Sequence, residues 1–422
     1  MKLLRIGICA LVIFAVASHG AVEDWARAVL QIGATLLFLA WAVRAYLTQE
    51  HQLFISPLLL PLVSLLLIAL GQWIFHGTAS SYETRMELQL LLADILLLFL
   101  ASQVFRTLED WRGFIWFVMS LGFLVAIFGI LQHLTFNGKL YWFREMRYGG
   151  IPFGPYANRN HFAGFTELVI PVSLVPLVLG KVRRERWFLV SLFAVVPIGA
   201  LFLAASRGGI VSFAVEVGVL ILWLILRRTV GKHLLSGGAV LLLAFLMVSW
   251  LGVQQLVARF SSLQSLEVTG GKRASMRIDT WRIFLDHPWA GTGLGTLQTV
   301  FPPYETLYDG KIVNHSHNDY LEGLAETGIA GGVCCVWFLV VLFFDSLRRL
   351  TQPNGAFAST IQLSGLVACL GFLTHALFDF NLHIPANALL FFLLANLATN
   401  EIRQPTPEIP KSGNIRHKHR NH

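Results

Sequence analysis

Charge is what this chain of 422 residues has least of. Only 13% of its residues are Asp, Glu, Lys or Arg, against 55% that are apolar. A water-soluble domain cannot hide that much apolar surface, whereas a bilayer can. Cysteine is scarce as well. Cys9, Cys334, Cys335 and Cys369 all lie inside apolar runs, and the adjacent pair has neither metal-site nor redox-motif spacing. A disulfide framework is therefore excluded, and the four read as small membrane-buried hydrophobes. No GxGxxG occurs. The nearest glycine-rich turn, GTGLG at 291–295, follows no strand, so dinucleotide binding is excluded too. No internal repeat is evident, and no low-complexity linker precedes position 399.

What the chain does have is long apolar runs. Twelve can cross a bilayer, at 3–19, 28–47, 53–75, 88–105, 113–134, 161–180, 187–205, 209–226, 233–252, 329–346, 360–378 and 384–398. The expected fold is all-α, a polytopic membrane protein of about 12 transmembrane helices. Residues 1–398 form the membrane domain, with a long loop at 253–328 between the ninth and tenth spans, and 399–422 form a basic, disordered cytoplasmic tail. The first run starts with Lys2 and Arg5 and ends near AVASHGA, as a cleaved signal peptide would. Retention as a span is preferred, because no soluble domain follows and removal would leave the helix count odd.

Lys and Arg set the orientation. With the N-terminus in the cytoplasm, 19 fall inside and 13 outside, and ten of the outer ones lie in the two long segments 135–160 and 253–328. The short outer loops carry only Arg27, Arg85 and Arg207, while KVRRER (181–186), RRTVGK (227–232), Arg348, Arg349 and the tail fall inside. The net charge of +8 is thus a topology signal rather than a nucleic-acid footprint. Three polar features then share the outer face: the turn AASRGG (204–209), the loop 253–328, and VNHSHNDYLEGLAETG (313–328).

Each can be read structurally or chemically. Arg207 is either an interfacial snorkelling arginine or an anion clamp whose forked donors match phosphate oxygens, with Gly208 and Gly209 allowing close approach. Within GGKRASMRIDTWRIFLDHPWAGTGLGT (270–296), Arg277, Trp281 and Leu285 recur at helical spacing, as do Ile278 and Arg282. That spacing predicts a short surface helix, either guiding an anionic headgroup or simply solvated. In the last feature, Asn318 or Asp319 can cap a two-turn helix that Gly328 ends before the next span. His317 then sits at a helix N-terminus, whose dipole disfavours the imidazolium and suits a general base. A metal held by His315, His317 and Asp319 is the competing reading, but no further ligand set is visible, and pure capping is another. Asp94, Glu167 and Glu216 lie six or seven residues from the outer ends of their spans. Carboxylates at one depth in a membrane suggest a polar funnel opening outward, with Arg207 as partner to one of them, or a structural ion pair.

Together, SRGG, RIDTWRIFLDHPWAGTGLG and HSHNDYLEGLAETGIAGG resemble the O-antigen ligase and polymerase superfamily, and YANRNHFAGF (156–165) and FDFNLHIPANALLFF (378–392) also fit it. The resemblance runs from about 150 to 400 and is most specific at the loop motifs. It implies a metal-independent, inverting glycosyltransferase of the bacterial inner membrane. Such an enzyme moves a glycan from undecaprenyl diphosphate to a hydroxyl on the periplasmic face, without a cofactor. The loop histidine of the family corresponds to His317, with His315 two residues away as the alternative register. Its diphosphate-handling arginines correspond to Arg207 and Arg277, with Arg282 the rival of the second. Asn160, Glu167, Glu216, His315, Asn318 and Arg282 are then candidate substrate contacts. The implied partners are the lipid-linked donor, the bilayer, and lipid A-core or another glycan as acceptor, with no nucleic acid. Ligase and polymerase remain undivided by these motifs, with protein glycosylation a third branch. A small-anion transporter, to which intramembrane carboxylates would be suited, and an assembly scaffold are the readings from other classes.

Overall fold

The computed structural model describes residues 1–49, 52–145, 151–261, 266–352 and 355–403. Most of the basic tail, and a short part of the 253–328 loop, lie outside the described residues. The chain is helical throughout, and no strand forms among the described residues. In chain order the helices are α1 (Lys2–Ala17), α2 (Asp24–Leu47), α3 (Leu59–Ile74), α4 (Ser81–Val104), α5 (Leu108–Leu134), α6 (Arg159–Val178) and α7 (Arg184–Ala204). They continue with α8 (Arg207–Leu226), α9 (Val230–Ser261), α10 (Leu266–Asp286), α11 (Leu297–Val300), α12 (Asp319–Thr351), α13 (Ala356–His375) and α14 (Pro385–Thr399).

Every anticipated span falls on a helix. Among the described residues, α2, α4, α5, α6, α7, α8, α12 and α13, eight helices, are long and apolar enough to cross a membrane. The apolar helices α3, Gly237–Trp250 within α9, and α14 are shorter. The third span begins later than expected, because 52–56 is extended. Phe54 there lies under Arg106 and Arg403, and Gln103 accepts from its N–H and donates to its carbonyl.

A helix that is apolar all round must be buried or face lipid. Both cases occur. At the centre stand α6, α13 and α14. From Phe162 to Val178 every residue of α6 is buried, and so is all of α14. Around them, the outer helices turn branched apolar side chains outward: Leu36 and Val43 on α2, Ile221 on α8, Val336 and Val340 on α12. With helices on every side of the centre, those outward faces are the ones a bilayer would cover, so the protein is a polytopic, all-helical membrane protein.

At one end of the bundle the chain between α9 and α12 builds a cap with its own small core of Ile283, Phe284, Leu297, Phe301, Val313 and Ala325. The predicted short helix at 277–285 is part of the longer α10, which packs on α12. Gly328 does end the first stretch of α12, with φ 62° and ψ −165°, after which the span resumes. The GTGLG turn has a structural purpose. Gly291, Gly293 and Gly295 all take positive φ, and the turn closes over Glu326, whose carboxylate accepts from the N–H of Gly295 (2.8 Å) and of Leu297 (3.0 Å). Gln72 of α3 locks it from below, donating to the carbonyls of Ala290 and Glu326 and accepting from Leu294 N–H.

A side chain at Gly291 would meet the backbone of Glu326 and Thr327, and its φ of +69° is already unfavourable for any other residue. Gly291→Ala should therefore cost at least about 1–3 kcal/mol and lower the thermal midpoint in detergent by several degrees. An unchanged midpoint would mean that the turn is not packed on α12 in this way.

Candidate active site

The site grows from the N-terminus of α12. Asn318 is the cap: its Oδ1 accepts from Leu321 N–H at 2.9 Å, and its amide donates to the Leu377 carbonyl at 3.2 Å. Both ends of this predicted substrate contact are thus committed to structure. His317, just before it, sits in the left-handed region at φ 55°. Such backbone costs roughly 1–3 kcal/mol and persists only where its surroundings hold it. Here it turns the imidazole towards the α13–α14 connection, where Nδ1 lies 3.0 Å from Asp379 Oδ1.

Asp379 is fully buried and held from several sides. Asn160 Nδ2, at the start of α6, donates to Oδ2 at 2.5 Å, and Phe380 N–H donates to Oδ1 at 3.0 Å. Burial pushes its carboxyl up. The hydrogen bond from His317 and the positive potential of His317, His161 and His375 outweigh burial and hold it well below the usual carboxylate range. An ionised carboxylate only accepts, so Nδ1 of His317 donates in this bond, and in the neutral ring Nε2 then holds the lone pair. The His317 side chain is 21% exposed, and Nε2 meets no protein partner among the described residues. It is a free acceptor at the rim, with an orienting carboxylate behind it.

Three more pairs repeat this arrangement. His315 Nδ1 lies 2.7 Å from Glu322, His383 Nδ1 2.8 Å from Asp319, and, deeper, His375 Nδ1 2.8 Å from Glu167. His383 loses ground to burial, but Glu322 and Asp319 together push its pKa up to about 10. Phe380 fills the space among the rings, with centroids 4.1 Å from His315, 5.1 Å from His317 and 4.8 Å from His161. The anticipated donor set of His315, His317 and Asp319 does not converge, because each turns to a different partner. The set that does converge is His315, Glu322 and His383.

Arg207 opens α8 beside this cluster. Ser206 caps the helix, its Oγ accepting from Gly209 N–H at 3.3 Å. A side chain at Gly208 would strike the His375 ring at 2.6 Å, and one at Gly209 would press on Ala163 and Leu201. The two glycines thus let the first turn of α8 lie flat on α6 and α13, over the His375–Glu167 pair. Arg207 itself is exposed and makes no ion pair among the described residues, so the expected partnership with a membrane carboxylate does not form. Glu167 and Glu216 are both buried, Glu167 bound to His375 and Glu216 without a hydrogen-bond partner for either oxygen among the described residues.

The three membrane carboxylates do not share one funnel. Equal depth put them on one level, but α8 packs on α13 and α6, whereas α4 reaches α14 instead. Asp94 lines a separate, mostly apolar cavity of about 390 Å³ between α3, α4, α12 and α14, which ends at Asp319, Glu326 and His383.

The other two arginines sit on α10. Arg277 is half-buried and donates from Nε to the Arg273 carbonyl at 3.2 Å. Arg282 pairs with Asp279 at 3.2 Å, and Asp279 also accepts from the N–H and hydroxyl of Thr306. Asp279 therefore ties Thr306 to α10, with Arg282 as its same-helix partner, and neither arginine contacts the histidines among the described residues.

Asp379, His383, Glu322 and His375 were not singled out from sequence. A signal existed for two of them. In FDFNLH (378–383) polar and apolar residues alternate at the outer end of a span, where a helix would not alternate.

Fold and site together define a polytopic helical membrane protein with a histidine–carboxylate centre at one end of its bundle. Residues 192–336 match the model of the family described as O-antigen ligase, and this match supports a resemblance to the O-antigen ligase and polymerase superfamily. No curated protein matches it in sequence. The family implies an enzyme of O-antigen ligase or polymerase type, acting on glycans and lipid-linked substrates in a membrane. The match takes in Arg207, Glu216, Arg277, Arg282, His315, His317 and Asn318. Asn160, Glu167, Asp379 and His383 lie outside it.

Asp379→Asn should leave the protein folded yet lower transfer by about 10²-fold or more, since the imidazole loses its fixed tautomer. Asp379→Glu should recover part of it. Equal turnover in the asparagine variant and the wild type would remove Asp379 from the site.

Proposed function

We propose that this chain is a glycosyltransferase of the bacterial inner membrane. It moves a glycan from undecaprenyl diphosphate to an acceptor hydroxyl on the periplasmic face, as in ligation of O-antigen to lipid A-core. The observation that carries this reading is the His317–Asp379 pair, a rim imidazole with an unpartnered Nε2 held by a buried carboxylate. In the step itself the glycosidic bond between the sugar C1 and the diphosphate oxygen breaks, and a bond from C1 to the acceptor oxygen forms on the opposite face. The acceptor proton passes to Nε2 of His317, and the diphosphate departs with the electron pair. Configuration at C1 inverts.

The departing diphosphate gathers negative charge as the bond lengthens. Arg207 and Arg277 stabilise it with forked donors in place of a divalent metal. Asn160 serves indirectly, as the second donor holding Asp379. In this reading α1 to α9 and α12 to α14 all cross the membrane with the N-terminus inside. Residues 1–398 then act as one membrane unit, and the 253–328 cap stands over its periplasmic end. The exposed Arg207 and the half-exposed His317 both face that end, where a lipid-borne headgroup would arrive.

The test uses the full chain in liposomes with undecaprenyl diphosphate-linked glycan and products resolved on a gel. Product only when lipid A-core is added identifies a ligase, and a ladder without it identifies a polymerase. His317→Ala should lower transfer by about 10²–10⁴-fold while donor binding persists, and full turnover in that variant would sink the proposal. Arg207→Lys keeps the charge but loses the fork, so donor affinity and turnover should both fall. Near wild-type values for both would count against a clamp.

A further inference from the structure

The same end of the bundle holds a donor set that the transfer step does not use. His315 comes from the connection before α12, Glu322 from the first turn of α12, and His383 from the 3-10 turn before α14. One donor atom from each lies within 4.8 Å of the other two. Glu322 Oε1 is 2.7 Å from His315 Nδ1 and 3.5 Å from His383 Nε2. A tetrahedral ion with bonds of 2.0–2.2 Å spaces its nitrogen and oxygen donors roughly 3.3–3.5 Å apart. The set therefore surrounds such a point after the two imidazoles move by about 1 Å, and both are partly exposed, at 25% and 18%.

The residues behind the donors are arranged as a metal site requires. Asp319 Oδ1 accepts from His383 Nδ1 at 2.8 Å and Oδ2 from Leu382 N–H at 3.0 Å, which fixes the ring with Nε2 turned towards Glu322. Ser316 occupies the other oxygen of Glu322, donating from its N–H at 2.7 Å and its hydroxyl at 3.1 Å. A ligating histidine whose second nitrogen is held by a carboxylate is the recurrent outer-shell arrangement of metal centres. Two imidazoles and one carboxylate select a zinc-type ion over magnesium or calcium, which prefer oxygen alone.

We propose that His315, Glu322 and His383 bind one divalent transition-metal ion of zinc type, with Asp319 as the residue that orients His383. The ion takes the place of any proton that His383 Nε2 or His315 Nδ1 turns towards Glu322, while His383 Nδ1 keeps its proton for Asp319. It takes no part in sugar transfer. Its role is to fasten the 381–383 turn to the start of α12 and to the loop just before it. Phe380, stacked on His315 and touching His317, is carried by that turn, so the ion also settles the surroundings of the rim histidine. The binding site stands whatever group the protein transfers.

The experiment uses the full chain without an affinity tag, purified in detergent, stripped with chelator and titrated with Co²⁺. Visible absorption reports the coordination, and Zn²⁺ competition reports affinity. Wild type should bind one Co²⁺ per chain, with the spectrum of a four- or five-coordinate ion. Glu322→Gln and the double variant H315A/H383A should abolish that spectrum. Asp319→Asn keeps all three donors and should weaken binding about 10–100-fold. His317→Ala should bind as wild type does, which separates this site from the transfer centre. If the histidine double variant does not fold, the isosteric Glu322→Gln decides. Absence of a Co²⁺ spectrum in stripped wild type overturns the proposal. So does an undiminished spectrum in the variants, which would assign the ion to His417, His419 and His422 of the tail.

Discussion

An ionised carboxylate withdrawn from water costs several kcal/mol unless something answers its charge. The centre of this protein is organised around that constraint. Asp319, Glu322, Asp379 and Glu167 are all buried, and each meets a histidine. The histidines come from the loop before α12, the end of α13 and the 3-10 turn before α14, so answering the charges also gathers the segments. Geometry at the rim follows. His317 can hold an unfavourable backbone angle because Asp379, fixed by Asn160 and by Phe380 N–H, holds its ring.

The central helices make this possible. α6, α13 and α14 are mostly apolar and are buried by the outer helices. They form a dry platform with few alternatives for packing. Polar residues set at the ends of such helices have little room to relax, so their mutual positions are as fixed as the platform. The glycines of SRGG extend the same logic to α8, letting its first turn lie on the platform and presenting Arg207 at its edge.

Much of this could be read from the chain before any coordinates. Long apolar runs announced the helices, because a membrane allows few other ways to satisfy the backbone. The cap at Asn318 and the break at Gly328 were visible because both obey local rules of helix ends. His317 and Arg207 were visible because polar residues are rare here and the charge bias put them on one face. What stayed hidden depends on tertiary contact. Nothing local pairs His317 with Asp379, 62 residues away, or gives Asp319 to His383. Depth along a span was legible for Asp94, Glu167 and Glu216, but the direction each helix faces was not, so three carboxylates at one level were placed in one funnel when they occupy two sides.

The glycine turn over Glu326 closes the cap upon itself. Thr292 and Gly293 N–H donate to the carbonyls of Ala325 and Glu326, and Ile329 and Ala330 N–H to those of Pro288 and Trp289. The two ends of the intervening loop are thus stitched together at the membrane surface. The roughly thirty residues between them include the rim histidine and are tied to the bundle again through Thr299–Glu83 and His317–Asp379. In evolutionary terms such a seam defines a cassette. The exposed stretch 307–312, between the seam and the rim histidine, can change in length while the bundle beneath keeps its packing.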